Sequence, residues 1–498
     1  MRLWIGVHLP LLSLEAFRPR WSEPGRHVVV NRLQVLTVSD EAFAAGVRVG
    51  MRRGGVGVLC PDAVLHEHDE TKERVALDTI ALTLLQYTPE VALAEEASLL
   101  LDVSASLRFF GGPRVLHRRV RESVQSAGFT PQIGMAPTAQ GAWLLARAFA
   151  SPSAKAMAGG ERPKQRRVLR IETLMKRLAP LPCALLPAIR PFREWLDGIG
   201  CQSFGDLRKL PRAGLKRRTR PEALDALDRA YGEATELFDW VQAPETFCAK
   251  LELPDRIEHA EAVLFAARRL LLQMAGWMVA RHLAVTHFLL AMEHERGRYA
   301  IAPTILEIKL AEAAWHEEHL THLLKERLGR VELQAAVIAL RLEAMQTEAM
   351  APPTESLFPE PGGTKADRTR LLELLTARLG EDNVLLPAPH ADHRPEQANR
   401  WLPATAVKRL MHASLPPLNR PFWLLDVPIQ LIMRDHRPFY GSPLRIVSAA
   451  ERIECGWQDD ALVVRDYFVA QGEESACYWV YRERAGEDIR WYLHGLFA

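Results

Sequence analysis

The chain has 498 residues, 48% of them hydrophobic and 25% charged, and a formal net charge of +2. That length exceeds a single core and implies about three or four domains, and a charge so near zero identifies no partner. Six scattered cysteines without a C-x-x-C pair argue against a zinc framework or disulfide scaffold and fit a reducing cytoplasm. With no signal-like segment and no uninterrupted apolar run near roughly 18–20 residues, the expectation is cytoplasmic, with no membrane partner.

The opening Leu3-Trp-Ile-Gly-Val-His-Leu-Pro-Leu-Leu-Ser-Leu-Glu15 reads as a buried strand that turns at Pro10 into a short apolar helix. Two β-branched runs between Val28 and Val38, split by Asn31-Arg32, read as paired strands. Ser39 is an N-cap with Asp40 and Glu41 in the first turn, and Gly46 suits a C-cap. Helical spacing marks an amphipathic helix over 70–88, and Ser98-Leu-Leu-Leu-Asp-Val-Ser104 reads as a buried central strand. A Phe109-Phe-Gly-Gly-Pro113 turn opens a helix to about Ala127. Gln132–Ala136 is another strand, and an Ala-rich helix covers 138–150. This order predicts an α+β sheet covered on one face by helices.

Residues 151–168 read as a linker or exposed loop. Short helices follow over 185–235, with Leu196-Asp-Gly-Ile-Gly-Cys-Gln-Ser-Phe-Gly-Asp-Leu207 forming a helix–hairpin–helix pattern. Its turn, with Gly198 and Gly200, would present backbone N–H groups to a phosphate at a helix N-terminus. Lys209, Arg212, Lys216, Arg217, Arg218 and Arg220 behind it would supply cations for DNA; the competing account is a tight turn with a solvated basic face. A helix at 260–278, strands near 283–293 and 300–310, a helix at 313–328 and a strand at 331–343 make a second α+β unit. Prolines then interrupt all periodicity around Leu357-Phe358, which is either an anchored linker or a short motif with two apolar plugs. A helix at 367–379 precedes the last segment, whose strands carry Arg465-Asp-Tyr467, Trp479-Val-Tyr-Arg482 and Trp491-Tyr-Leu-His-Gly-Leu-Phe497. They form either a small β core or a surface that stacks single-stranded bases. Asp392, His393 and His494 fit no metal motif.

Taken together, these elements resemble the Y-family translesion DNA polymerases over roughly residues 1–345, and the terminal motifs resemble those of the Y-family-like subunit of a bacterial mutagenesis complex. The resemblance implies an α+β multidomain fold. Palm-like segments fall at 1–27 and 70–168, fingers-like at 28–69, a helical thumb at 169–238 and a little-finger-like unit at 239–347. A linker with a clamp-binding-like motif spans 348–363, and a β-rich C-terminal interaction region spans 364–498.

Position by position, the family's two metal-binding carboxylates of the first strand fall on Gly6 and His8, and its second acidic pair on Ala97 and Ser98. Its triphosphate-gripping Tyr and Arg become Asp40 and Phe43, and its Asn-Lys becomes Thr138 and Ala139. Two-metal phosphoryl transfer needs anionic oxygens to hold the ions, which Gly, Ala and Ser do not supply. A two-residue slip would bring Glu95-Glu96 into play without changing facing. The expectation is a non-catalytic protein with no cofactor or metal. By resemblance its partners are DNA, the sliding clamp (through Leu357 and Phe358), an error-prone C-family polymerase and a small RecA-like protein. Thr354 stands where the clamp motif has Gln, a loss of about 1–2 kcal/mol if that amide's bonds go unmade. Two rival functions are an active translesion polymerase and a general DNA-binding repair protein without clamp contact.

Overall fold

The computed structural model describes residues 2–148, 166–295, 301–350, 365–404, 420–457, 462–473, 475–484 and 489–497. It divides into two compact units, Met1–Arg370 and Leu371–Ala498. Gly159-Gly160 and the Leu357-Phe358 pair lie outside the described residues.

The first unit is built on β1 (Trp4–His8), followed by α1 (Leu12–Glu15). A small three-stranded sheet comes next, from β2 (His27–Asn31), β3 (Gln34–Val38) and β4 (Val64–Glu67), with α2 (Asp40–Ala44) and α3 (Arg53–Leu59) between its strands. The Ser39 hydroxyl accepts from the Ala42 N–H, as its N-cap position requires. Then come α4 (Glu70–Leu84), β5 (Val91–Ala94), β6 (Ser98–Asp102), α5 (Pro113–Ser126), β7 (Gln132–Ala136) and α6 (Ala139–Arg147). The main sheet runs β5-β6-β1-β7, antiparallel throughout; β5 had no clear signal in the sequence.

This sheet is covered on both faces, not one. Ile5, Val7, Leu99, Leu101, Ile133 and Met135 share a core with Ile80 and Leu84 of α4 and Leu116 and Val120 of α5. The opposite face carries Trp4, Leu100 and Ala136, which pack with Ala142 and Trp143 of α6. Every residue of β1 and β6 is therefore buried. Glycine and alanine on the second face make this possible, because a helix can then lie directly on the strands.

That second core continues into short helices: α7 (Ile171–Leu178), α8 (Arg193–Gly198), α9 (Phe204–Lys209), α10 (Arg212–Arg218) and α11 (Pro221–Tyr231). The following α+β unit has strands β8 (Cys248–Ile257), β9 (Leu283–His294), β10 (Thr304–Ala314) and β11 (Val337–Ala349), ordered β10-β9-β11-β8. Its helices are α12 (Ala260–Arg281) and α13 (Glu317–Leu328). By length and composition α12 could cross a membrane, but 72% of its apolar window is buried inside the fold, as expected of a core helix.

Helix α12 crosses α4 at Gly276, where an added Cβ would lie 1.9 Å from the Leu82 carbonyl oxygen. Gly→Ala inside a helix ordinarily stabilises by about 1 kcal/mol. Here the sign reverses: Gly276→Ala is expected to destabilise the first unit by about 2 kcal/mol, seen as a lower denaturation midpoint in urea.

After α14 (Lys365–Leu379), the second unit holds the hairpin β12 (Leu385–Pro389) and β13 (Asn399–Pro403). An eight-stranded antiparallel sheet follows, from β14 (Trp423–Arg434), β15 (Arg437–Tyr440), β16 (Ser442–Pro443), β17 (Arg445–Ile446), β18 (Glu451–Cys455), β19 (Val463–Gln471), β20 (Cys477–Glu483) and β21 (Arg490–Leu496). Tyr467, Trp479 and Tyr481 are buried, so these aromatics serve a β core and are not presented to bases. Tyr467 stacks on Trp479 at 4.1 Å, and its hydroxyl meets His494 Nδ1 at 2.8 Å. Buried Asp466 accepts from Arg452 and Arg482 at 2.9 and 2.8 Å. The three terminal motifs thus form one network.

Candidate functional site

The palm-like sheet brings together most of the positions where catalysis would be sought. His8 lies opposite Ser98, and Gly6 lies between Leu100 and Gly134. Directly opposed residues share a face, so Gly6, His8 and Ser98 all point toward α6. Ala97 is in the β5–β6 turn with φ +49°. At Gly6 a Cβ would lie 2.7 Å from the Ala142 backbone, and at Gly134 it would lie 2.2 Å from the Ala142 oxygen. Helix α6 occupies the space a carboxylate side chain would need. A sequence signal for this existed: two glycines on adjacent strands beside an Ala-rich helix mark a close backbone approach.

His8 is buried, with Nδ1 3.0 Å from the Glu96 carbonyl and 3.2 Å from the Ser98 hydroxyl. The Ser98 hydroxyl donates to the same carbonyl at 2.9 Å, so the acceptor calls for a proton on Nδ1. Burial first, and then the Arg147 guanidinium, lower His8 to about 4. A histidine depressed in the fold contributes stability that is complete above its unfolded value near 6.5 and is lost as pH falls toward 4. His8→Gln should therefore flatten the acid limb of stability between those values by on the order of 3 kcal/mol, measured by urea titrations across that range.

Glu95 and Glu96 lie in the β5–β6 turn, off the strand that carries Gly6 and His8, and among the described residues no group of three or more His, Cys, Asp or Glu could hold a metal. The β1–β6 register has no slip. Glu96 lies in the turn with φ +54°, and its carboxylate pairs with Arg147 and Arg190. Arg147 is buried over the Trp143 ring at 4.1 Å and donates to the Leu185 carbonyl at 2.8 Å. Burial and neighbouring Arg190 lower it to about 10, so it stays cationic near neutrality. Divalent magnesium requires several hard, anionic oxygens. A neutral imidazole, a hydroxyl already donating and a carboxylate already neutralised do not fit that ion.

The positions that the resemblance assigns to gripping a nucleotide have other partners in this fold. Asp40 is exposed in the first turn of α2, and Phe43 is half-exposed beneath the Arg48 guanidinium at 3.9 Å. Thr138 caps α6, accepting from Gly141 N–H at 3.1 Å and donating to the Ala230 carbonyl at 3.0 Å. The N–H groups of Ala139 and Gln140 donate to the Glu236 carboxylate at 3.0 and 2.8 Å. Burial pushes Glu236 up while these two bonds pull it back. Two residues on, Phe238 packs on Trp4 at 4.7 Å, and Trp240 stacks on it at 6.2 Å. Glu236 carried no local signal; its partners are almost a hundred positions away.

In the helix–hairpin–helix, Gly200 adopts φ +74° between α8 and α9, and both Gly198 and Gly200 face open space. The expected phosphate cradle is not free. Phe204 N–H donates to the Leu181 carbonyl at 3.0 Å, Gly205 N–H to the Ala179 carbonyl at 2.8 Å, and Asp206 N–H to Ser203 at 3.2 Å. The N–H of Gly200 also donates internally, to Asp197 at 3.1 Å. Any phosphate contact here falls to side chains. Arg212 is held bidentately by Asp228 at 2.9 and 2.6 Å, and Lys209 lies 3.3 Å from Asp206. Lys216, Arg217, Arg218 and Arg220 are exposed. Among the described residues they have no ion pair, and Arg218 lies 5.6 Å over Trp195. Sequence reading had no means to separate the two groups.

Residues 20–147 match the family model described as impB/mucB/samB family. Over that segment the main sheet and the elements around it are of the Y-family polymerase-like class, and a β-rich C-terminal module lies beyond the match. Within that class the chain is ImuB-like, being 25% identical over 482 residues to Protein ImuB of Caulobacter vibrioides, across 91% of this chain and all of that one. It is also 28% identical over 240 residues to DNA polymerase IV 2 of Mesorhizobium japonicum, spanning 48% of this chain and 52% of that protein. Among solved structures it is similar to an insertion ternary complex of Dbh DNA polymerase, with 17% identity, a TM-score of 0.39, and coverage of 68% of this chain and 98% of the other. Another is DinB from Sulfolobus solfataricus, with 15% identity, a TM-score of 0.37, and coverage of 70% and 100%.

Proposed function

We propose that this protein is a non-catalytic, Y-family-like adaptor for translesion synthesis and mutagenesis after DNA damage. One observation carries the reading: the face that would hold metal and nucleotide is filled by the chain's own α6, Arg147 and Glu236. In this reading DNA is held by Lys216, Arg217, Arg218 and Arg220, with Gly198 and Gly200 giving a phosphate backbone room to approach. Leu357 and Phe358 dock the sliding clamp. The C-terminal region recruits an error-prone C-family polymerase and a small RecA-like partner, in keeping with the ImuB-like extent of the chain. The chemistry then belongs to the recruited polymerase, and the protein works in the cytoplasm.

Primer extension by the full-length protein with Mg²⁺ or Mn²⁺ tests the central claim. No nucleotide incorporation is expected; intrinsic incorporation that survives further purification would overturn it. Capture of purified clamp should be lost in Leu357→Ala/Phe358→Ala, and a wild-type protein that captures no clamp would remove that part of the proposal.

A further inference from the structure

We infer that Arg147 is a built-in cation that has replaced the divalent metals of this palm, with Glu96 as the residue that wires it to the former ligand positions. The inference rests on the non-catalytic reading and deepens it: the metal corner is not merely stripped of ligands but rebuilt around an internal positive charge.

The geometry runs through a single turn residue. The Glu96 carboxylate pairs with Arg147 and Arg190, while its backbone carbonyl accepts from His8 Nδ1 and Ser98 Oγ. Its left-handed φ of +54° lets side chain and carbonyl serve both ends of this network. Arg147 is the last residue of α6, where the helix carbonyls favour a cation. Trp143 lies under the guanidinium, and its indole N–H donates to the Glu95 carbonyl at 3.1 Å, fixing the same turn from the helix side. Two positions that would carry ligands, His8 and Ser98, are thus tied through Glu96 to one buried guanidinium. A divalent ion brought here would meet that charge at close range and a carboxylate already satisfied.

The test uses the full chain, Mn²⁺ as the probe, and the variants Arg147→Lys, Arg147→Met, Glu96→Gln and Arg147→Met/Glu96→Gln. By calorimetry and by Mn²⁺ electron paramagnetic resonance, wild type should bind no ion at the palm, and millimolar Mn²⁺ should leave its unfolding midpoint unmoved. Arg147→Met should melt lower and become stabilised by Mn²⁺, because Glu96 then keeps only the solvent-screened Arg190 as a cation. The double variant should recover part of the lost midpoint and lose the Mn²⁺ response, and Arg147→Lys should stay close to wild type. A wild-type Mn²⁺ site abolished by Glu96→Gln, or an Arg147→Met protein as stable as wild type, would overturn the inference. If Arg147→Met does not fold, the wild-type titration together with Arg147→Lys and Glu96→Gln still decides it. Primer extension on the same samples separates the two claims. Mn²⁺ bound by wild type without incorporation defeats this inference alone, whereas incorporation by wild type defeats the adaptor reading.

Discussion

Gly6→Asp is expected to destabilise the first unit by about 4 kcal/mol or more and to confer no polymerase activity. Two costs combine. The new Cβ would press on the Ala142 backbone at 2.7 Å, and a helix packed on two strands cannot retreat without uncovering Leu100, Ala136 and Trp143. The carboxylate would also be driven into an apolar layer, where an unpaired charge is costly. Ala97→Asp provides the contrast. Ala97 lies in a turn at φ +49°, a conformation that aspartate tolerates, so its effect should stay within about 1 kcal/mol. Urea denaturation of both variants, followed by primer extension on whichever remains folded, measures the difference. Equal stability of Gly6→Asp and wild type would show that α6 does not hold the position described.

The second large effect concerns DNA. Arg217→Ala/Arg218→Ala should lower affinity for duplex DNA by roughly tenfold and reduce the slope of log affinity against log salt by about 1.8, one counterion term per lost phosphate contact. Arg212→Ala should leave that slope nearly unchanged, because Asp228 already holds this guanidinium bidentately. Fluorescence anisotropy over a salt series distinguishes the two variants. An unchanged slope in the double variant would remove α10 from the interface.

Local signals were legible in the sequence wherever the physics was local. Ser39 caps the helix its position indicated. The Asn31-Arg32 break became a hairpin with Arg32 at φ +56°, and the Leu99–Leu101 run became a central strand. Signals failed where a contact joined distant segments. The sheet was expected to be bare on one face because nothing in residues 138–150 says which side of β1 the helix will cover. Free N–H groups were expected from the Gly198–Gly200 turn at a helix N-terminus, yet Gly200 donates to Asp197, and Leu181 and Ala179 take the N–H groups of Phe204 and Gly205 at the start of the next helix. The basic string looked uniform because the acids that neutralise part of it, Asp228 above all, lie on another helix. The absence of carboxylates at Gly6, His8, Ala97 and Ser98 is a matter of residue types alone; that Arg147 and Glu236 pack at the two ends of α6 was not legible.

The Glu236 carboxylate has a consequence for nucleotide capture. A group tethered to its own helix start competes as if present at millimolar or higher local concentration, however dilute the protein. A free triphosphate seeking the N–H groups of Ala139 and Gln140 must displace an anion that never diffuses away, and must also dislodge the neighbouring segment whose Phe238 and Trp240 are packed on Trp4. Under the proposed adaptor reading, this helix start is held by an internal ligand, and its occupancy would not follow the cell's nucleotide supply.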